Sequence, residues 1–284
     1  MDLSFLFWLF FLGQFFVPLY QKQALQLRRE RSIRGLQDRR HTRVITMIHR
    51  QETMNFLGFP IARYIDIEDS EKILRAIRLT SAETPIDLVL HTPGGLVLAA
   101  EQIASALQRH QAAVTVFVPH YAMSGGTLIA LAADTIVMDP NAVLGPIDPQ
   151  LGMGQGSVAA ASIIKALSQP NPNRDDQTLI LGDLAEKAIR QVKATAKRLL
   201  LDHHPEAEAD RIATTLSSGV WTHDYPLQIE ELRDLGFTVR DDMPREVYDL
   251  MELYPQSTQQ RPGVEFLPLP YAPPARDAPA KNRR

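Results

Sequence analysis

Two glycine signatures, His91-Thr92-Pro93-Gly94-Gly95 and Met123-Ser124-Gly125-Gly126, decide how this chain is read. The first follows the apolar run Ile86-Asp87-Leu88-Val89-Leu90, and the second comes shortly after Val114-Thr115-Val116-Phe117-Val118. Short β-branched runs at 44–48, 86–90, 114–118 and 135–138 predict strands, and the intervals at 68–80, 96–108 and 125–133 predict helices. Strands alternating with helices argue for an α/β fold, a parallel sheet covered by helices. In such sheets the loops at the carboxyl ends of the strands carry the chemistry. Both glycine signatures fall there.

Glycine lets a backbone N–H approach a substrate carbonyl closely, and the N–H groups at a helix start have no partner within the helix. The pair therefore suits acyl transfer, with Gly94 or Gly95 supplying one oxyanion donor and Gly125 the other. Ser124 stands immediately before the second donor, where a nucleophilic hydroxyl is needed. The plainer reading is that Ser124 caps a helix and that Gly-Gly only makes a turn. The two signatures, with a helix and a strand between them, favour the chemical reading.

The rest of the chain bounds the function. It has 284 residues, 45% hydrophobic, and no cysteine, so disulfides, Cys-ligated zinc, iron–sulfur clusters and thiol nucleophiles are excluded. Residues 3–20 carry no charge and are rich in Leu and Phe, long enough to cross a hydrocarbon core of roughly 30 Å as one helix. Asp2 precedes this run and Val17-Pro18-Leu19-Tyr20 closes it, which suits a retained anchor better than a cleaved signal. We therefore expect a transmembrane anchor over 1–21, a basic juxtamembrane linker over 22–43, an enzymatic domain over 44–253 and a Pro-rich disordered tail over 254–284. The linker holds Lys22, Arg28, Arg29, Arg31, Arg34, Arg39, Arg40 and Arg43. Positive residues flanking a span stay inside, so the expected protein is a single-pass cell-membrane protein with its domain in the cytoplasm. Contact with the lipid bilayer accounts for this charge. From residue 44 onward carboxylates exceed basic residues by eight, which argues against nucleic acid as a partner. An amphipathic helix is predicted over 178–201, packed on the sheet or on another subunit.

With Ala132-Ala133-Asp134, Asn141-Ala142-Val143-Leu144-Gly145 and Trp221-Thr222-His223-Asp224-Tyr225-Pro226 added to the two signatures, the chain resembles the Clp/crotonase-fold serine peptidases. It is most similar there to the signal peptide peptidase A group and, more narrowly, to the serine dehydrogenase proteinase family. The resemblance spans most of 30–250 and implies a homo-oligomeric serine endopeptidase that needs no metal or nucleotide cofactor. Neither glycine signature reads as a dinucleotide-binding turn. Clp proteases place a histidine a few dozen residues after the serine, but here Gly145-Pro146-Ile147-Asp148-Pro149 holds Asp148 in that region. Signal peptide peptidase A relatives use a lysine about forty residues downstream, and between Ser124 and Asn173 the only basic residue is Lys165. The resemblance thus implies a Ser124–Lys165 dyad. An amine of ordinary pKa near 10.4 must be desolvated by roughly 2–3 units to serve as base. A lysine among apolar neighbours is also commonly a solvent-facing residue with a packed stem.

His91, His120 and His223 are the alternative bases, with bland readings of His91 as a strand-end residue, His120 as a loop residue, and Thr222 or Asp224 beside His223 as a helix cap. His223 beside Asp224 makes a weak pair, because adjacent side chains rarely orient one another. His49, His110, His203 and His204 show no metal-binding spacing, and no metal is expected. The expected substrates are hydrophobic peptides or membrane-protein segments, since an anchor would hold the site near the bilayer. Two other classes fit the same signatures: a crotonase-like acyl-CoA enzyme without a serine nucleophile, and a non-catalytic membrane scaffold.

Overall fold

The computed structural model describes residues 3–50, 64–153 and 156–254, with the side chains of 1–15 and of Met153 left out. Of the Pro-rich tail expected over 254–284, Tyr254 packs against the core and the rest lies outside the described residues. Five strands form one parallel sheet: β1 (Arg43–Ile48), β2 (Ile86–His91), β3 (Val114–Val118), β5 (Thr135–Met138) and β9 (Val239–Arg240), in the order β1-β2-β3-β5-β9. All four pairings are parallel. The short β4 (Tyr121–Ala122) and β6 (Val143–Leu144) pair separately, and β7 (Gln150–Met153) with β8 (Gly156–Ala159) forms an antiparallel hairpin.

Every residue of β2 is buried, as expected of a central strand covered on both faces. On one face Ile45, Leu88, Val116 and Ile136 pack with α2 (Ile67–Arg78), α3 (Val97–Gln108), α4 (Gly125–Ala130), α6 (Asp176–Leu200) and α7 (Glu206–Ser217). On the other, Val44, Val89, Phe117 and Val137 meet Leu36 of α1 (Leu3–Arg40) and Val247, Leu250 and Met251 of α9 (Arg245–Glu252). The period-2 alternation along the strands thus builds two cores, one per face. The small α5 (Ala160–Leu167) follows the hairpin, and α8 (Ile229–Leu235) precedes β9.

One expectation changes at the N-terminal end. The stretch read as a linker is helical to Arg40, continuous with the apolar run, and Leu36 is buried against the sheet. Arg40 ion-pairs with the buried Asp87 of β2, which also accepts from Thr42 Oγ1 at 2.7 Å. Gln, Arg, Leu and Glu are good helix formers, so the shift in composition at Gln21 marks no break in backbone. Among the described residues no helix is long and apolar enough to cross a membrane. The apolar stretch behind the anchor expectation falls largely on residues 1–15, whose side chains are not described.

Candidate active site

Both glycine signatures reach the carboxyl edge of the sheet, one after β2 and the other after β3 and β4. Backbone bonds zip them together: Thr92 N–H donates to Tyr121 O at 3.2 Å and Met123 N–H to Thr92 O at 3.0 Å. Ser124 occupies the N-cap position of α4 but makes no capping hydrogen bond, so the plain helix-cap reading fails. Its backbone sits at φ 52°, ψ −114°. Positive φ at a non-glycine residue costs on the order of 1–3 kcal/mol and persists only where surrounding structure imposes it.

What imposes it is close packing with the first signature. A Cβ on Gly94, at φ +104°, would meet Ser124 Cβ at 2.8 Å and Met123 O at 2.9 Å. One on Gly95, at φ +155°, would meet Ile65 N and O, each at 2.3 Å. Ile65 fastens the loop on that side, its N–H donating to Gly94 O at 2.7 Å and its carbonyl accepting from Leu96 N–H at 2.9 Å. Gly94 N–H donates to Thr92 Oγ1 at 3.2 Å. Gly94, expected among the oxyanion donors, therefore has its N–H engaged inside the loop. Pro93 has no N–H. Gly95 is left as the residue of this loop whose N–H meets no acceptor among the described residues, and Gly125 N–H across from it meets none either. The two N–H groups beside a strained, half-buried serine form the arrangement that would receive a negative oxygen.

The base candidates are distributed unevenly. Lys165 lies on α5, exposed, with no side-chain hydrogen bond or ion pair among the described residues. The Ser124–Lys165 hydrogen bond is thus not formed within this chain. His91 is fully buried, stacked on His120 at 5.7 Å and tilted against Tyr121 at 4.3 Å between ring centroids, and its Nδ1 has no partner among the described residues. Burial, with the nearby Arg50 charge, lowers its pKa to about 4, which makes it a poor proton acceptor at neutral pH. His120 is exposed on the loop after β3. His223 has a different partner from the one its neighbour Asp224 suggested. Its Nδ1 lies 2.8 Å from Oδ1 of Asp148, a carboxylate buried to 1% exposure whose other oxygen accepts from Gln150 Nε2 at 2.7 Å.

The Asp148 segment runs alongside the serine loop. Thr127 Oγ1 donates to Gly145 O and accepts from Gly145 N–H, at 2.8 and 3.0 Å, and Met123 fills the space where a Gly145 side chain would lie. A cavity of about 590 Å³ opens between α3, α6 and the Pro149–Leu151 segment at the start of β7. Val97, Leu128, Leu151 and Val192 give it apolar walls, with Glu101 and Thr195 as polar groups. Leu128 N–H bonds Ser124 O, so this cavity begins one helical turn from the serine.

A strained serine beside two glycine loops at the carboxyl edge of a parallel sheet fits an α/β serine hydrolase. The chain belongs to the ClpP-like SDH-type serine proteinase family, whose profile matches residues 1–281. It is similar to two uncharacterized proteins of Methanocaldococcus jannaschii. MJ0137 is 54% identical over 268 residues, 94% of this chain and 92% of that protein, and MJ1495 is 52% identical over 266 residues, 93% and 90%. Among solved structures, it is similar to a serine-to-alanine variant of the 1510-N membrane-bound stomatin-specific protease, at 21% identity and TM-score 0.44, covering 67% of this chain and 79% of that one. A lysine-to-alanine variant of the same protease, in complex with a substrate peptide, gives 24%, 0.44, 66% and 74%.

Proposed function

We propose that this serine proteinase is a membrane-anchored endopeptidase in which Ser124 is the nucleophile, with oxyanion donors at Gly95 and Gly125. Ser124 Oγ bonds to the carbonyl carbon of the scissile peptide while a base takes its proton. The C–N bond then breaks, the leaving amine takes that proton, and water hydrolyses the acyl-enzyme. The observation that carries this reading is the positive φ of Ser124 beside two N–H groups that meet no acceptor among the described residues. It favours the peptidase over the acyl-CoA and scaffold readings, because neither requires strain at a serine.

Lys165 is the proposed base, acting once its amine is covered. Alone, the chain leaves α5 exposed at this position, and a lysine base needs shelter from water. The cover we infer is a second copy of the chain. Val158 of the hairpin and Leu179, Ile180 and Leu184 of α6, which packs on α5, expose apolar surface next to it. His223 is the second reading, supported by its bond to a buried carboxylate, the usual way an imidazole base is oriented. The apolar cavity that Leu128 helps to line, one turn along α4 from Ser124, supports hydrophobic peptide or membrane-segment substrates. Support for the anchor comes from the uncharged 3–20 stretch, from its place at the start of a 38-residue helix, and from Phe16, Val17 and Leu19, each more than half exposed on it. The basic residues that follow favour a cytoplasmic domain at the cell membrane.

Hydrolysis of an apolar fluorogenic peptide by the full chain in detergent tests this. Ser124→Ala is expected to lose all activity, as is Lys165→Ala, while His223→Ala keeps most of it. Activity surviving in Ser124→Ala would overturn the nucleophile. Activity surviving in Lys165→Ala but lost in His223→Ala would transfer the base to the imidazole.

A further inference from the structure

A buried chain of hydrogen bonds outside the proposed catalytic groups ends on the oxyanion loop. His49, at the end of β1, is 5% exposed, and its Nδ1 lies 2.9 Å from Thr92 Oγ1 while its Nε2 lies 3.2 Å from Asp69 Oδ2. Thr92, fully buried, receives Gly94 N–H on the same hydroxyl at 3.2 Å. Asp69 is held in turn, because Asp66 N–H donates to its Oδ2 at 3.0 Å in the capping box that starts α2.

The direction of each bond follows from donor chemistry. An ionised carboxylate only accepts, so the ring proton facing Asp69 lies on Nε2, and in the tautomer protonated there Nδ1 is the acceptor. The one hydroxyl proton of Thr92 therefore goes to Nδ1, since the alternative acceptor, Gly94 O, stands at 3.5 Å. The freed lone pair of Oγ1 takes Gly94 N–H. Asp69 is kept ionised along this chain: burial works to raise its pKa, but the His49 hydrogen bond and the Asp66 N–H outweigh it and lower the value.

We propose that Asp69, His49 and Thr92 are positioning residues for the oxyanion donors. This rests on the reading of Ser124, Gly95 and Gly125 as the reacting site. Thr92 holds the Pro93–Gly94 peptide through Gly94 N–H and Ile65 holds the Gly94–Gly95 peptide through Gly94 O, so the two bonds together fix the backbone at Gly94 and turn Gly95 N–H away from Ile65. Thr92 also ties the second signature, its carbonyl accepting Met123 N–H, and its methyl lies over Gly126. One residue thus sets the spacing between both donors.

The test uses Thr92→Val, which keeps the methyl packed on Gly126 and replaces the hydroxyl with a second methyl, with Thr92→Ser as the variant that keeps the hydroxyl. The full chain is labelled at Ser124 by a fluorophosphonate over a range of probe concentrations, and hydrogen exchange is followed in the 92–96 segment. Thr92→Val is expected to exchange faster there and to lower the maximal labelling rate about ten- to a hundredfold, the scale of a displaced oxyanion donor, with the probe concentration at half-maximal rate unchanged. Thr92→Ser is expected to recover most of the rate, and His49→Phe to behave like Thr92→Val. Unchanged exchange in Thr92→Val would overturn the hydrogen-bond chain. Faster exchange with an undiminished labelling rate would overturn its positioning role. A wild-type chain that takes no label would instead count against the serine peptidase reading, with the exchange comparison still deciding the hydrogen-bond chain.

Discussion

The two sides of the candidate site are finished to different degrees within one chain. The glycine side is fixed from four directions: by Ile65, by Thr92 with His49 behind it, by the zipped backbone of β4, and by the close approach of Gly94 to Ser124. The base side rests on α5, an eight-residue helix after a two-stranded hairpin, whose Lys165 is exposed. The difference teaches what a single fold supplies. Oriented N–H groups follow from loops that the buried sheet places, whereas an uncharged amine requires a dry surface over it. On the proposed mechanism, the second condition is met by association, and activity depends on assembly.

That contrast is open to direct attack, beginning with the largest effect. Lys165→Met should abolish peptide hydrolysis, a loss on the order of 10³-fold or more in kcat, yet move the thermal midpoint of the dissociated chain by no more than about 1 °C, because within one chain the side chain is exposed and makes no hydrogen bond or ion pair among the described residues. Calorimetry beside an activity assay checks both. Gly95→Ala attacks the other side. Its Cβ would lie 2.3 Å from Ile65 backbone atoms, so the loop must shift, with a loss of about 10²–10³ in kcat and, unlike the lysine variant, a lowered thermal midpoint. The smallest effect is on acid stability. His91 remains neutral in the fold down to about pH 4, whereas an unfolded chain protonates it near 6.5. The unfolded state therefore binds more protons in that window, and stability should fall as pH drops from 6.5 toward 4, by up to about 1.4 kcal/mol per unit. Asp69, whose pKa is lowered, acts in the same direction at lower pH. Urea unfolding at pH 7 and pH 5 measures this, and His91→Phe should flatten the slope.

Much of the glycine side was legible in the sequence because buried parallel strands read as short continuous apolar runs. The strands 114–118 and 135–138 fall where expected, and the helix predicted over 178–201 is observed over Asp176–Leu200. What escaped notice had weak local signals. β9 is two residues long, and the β7–β8 hairpin is a Gly- and Ala-containing stretch that carries no run of β-branched residues. The site partners were hidden by separation. His49 and Thr92 lie 43 residues apart, and His223 and Asp148 lie 75 apart, so no local spacing could join them. Asp69 looked like an ordinary residue in the first turn of a helix, which it also is. Its proximity to the single His at the end of the first strand becomes visible only when α2 packs beside β1.

The most direct test of the whole account is a structure of the full chain carrying a fluorophosphonate adduct. The account predicts phosphorus bonded to Ser124 Oγ, with the phosphoryl oxygen about 2.7–3.1 Å from both Gly95 N and Gly125 N. An adduct on another residue, or one on Ser124 whose oxygen turns to solvent away from those two N–H groups, would contradict it.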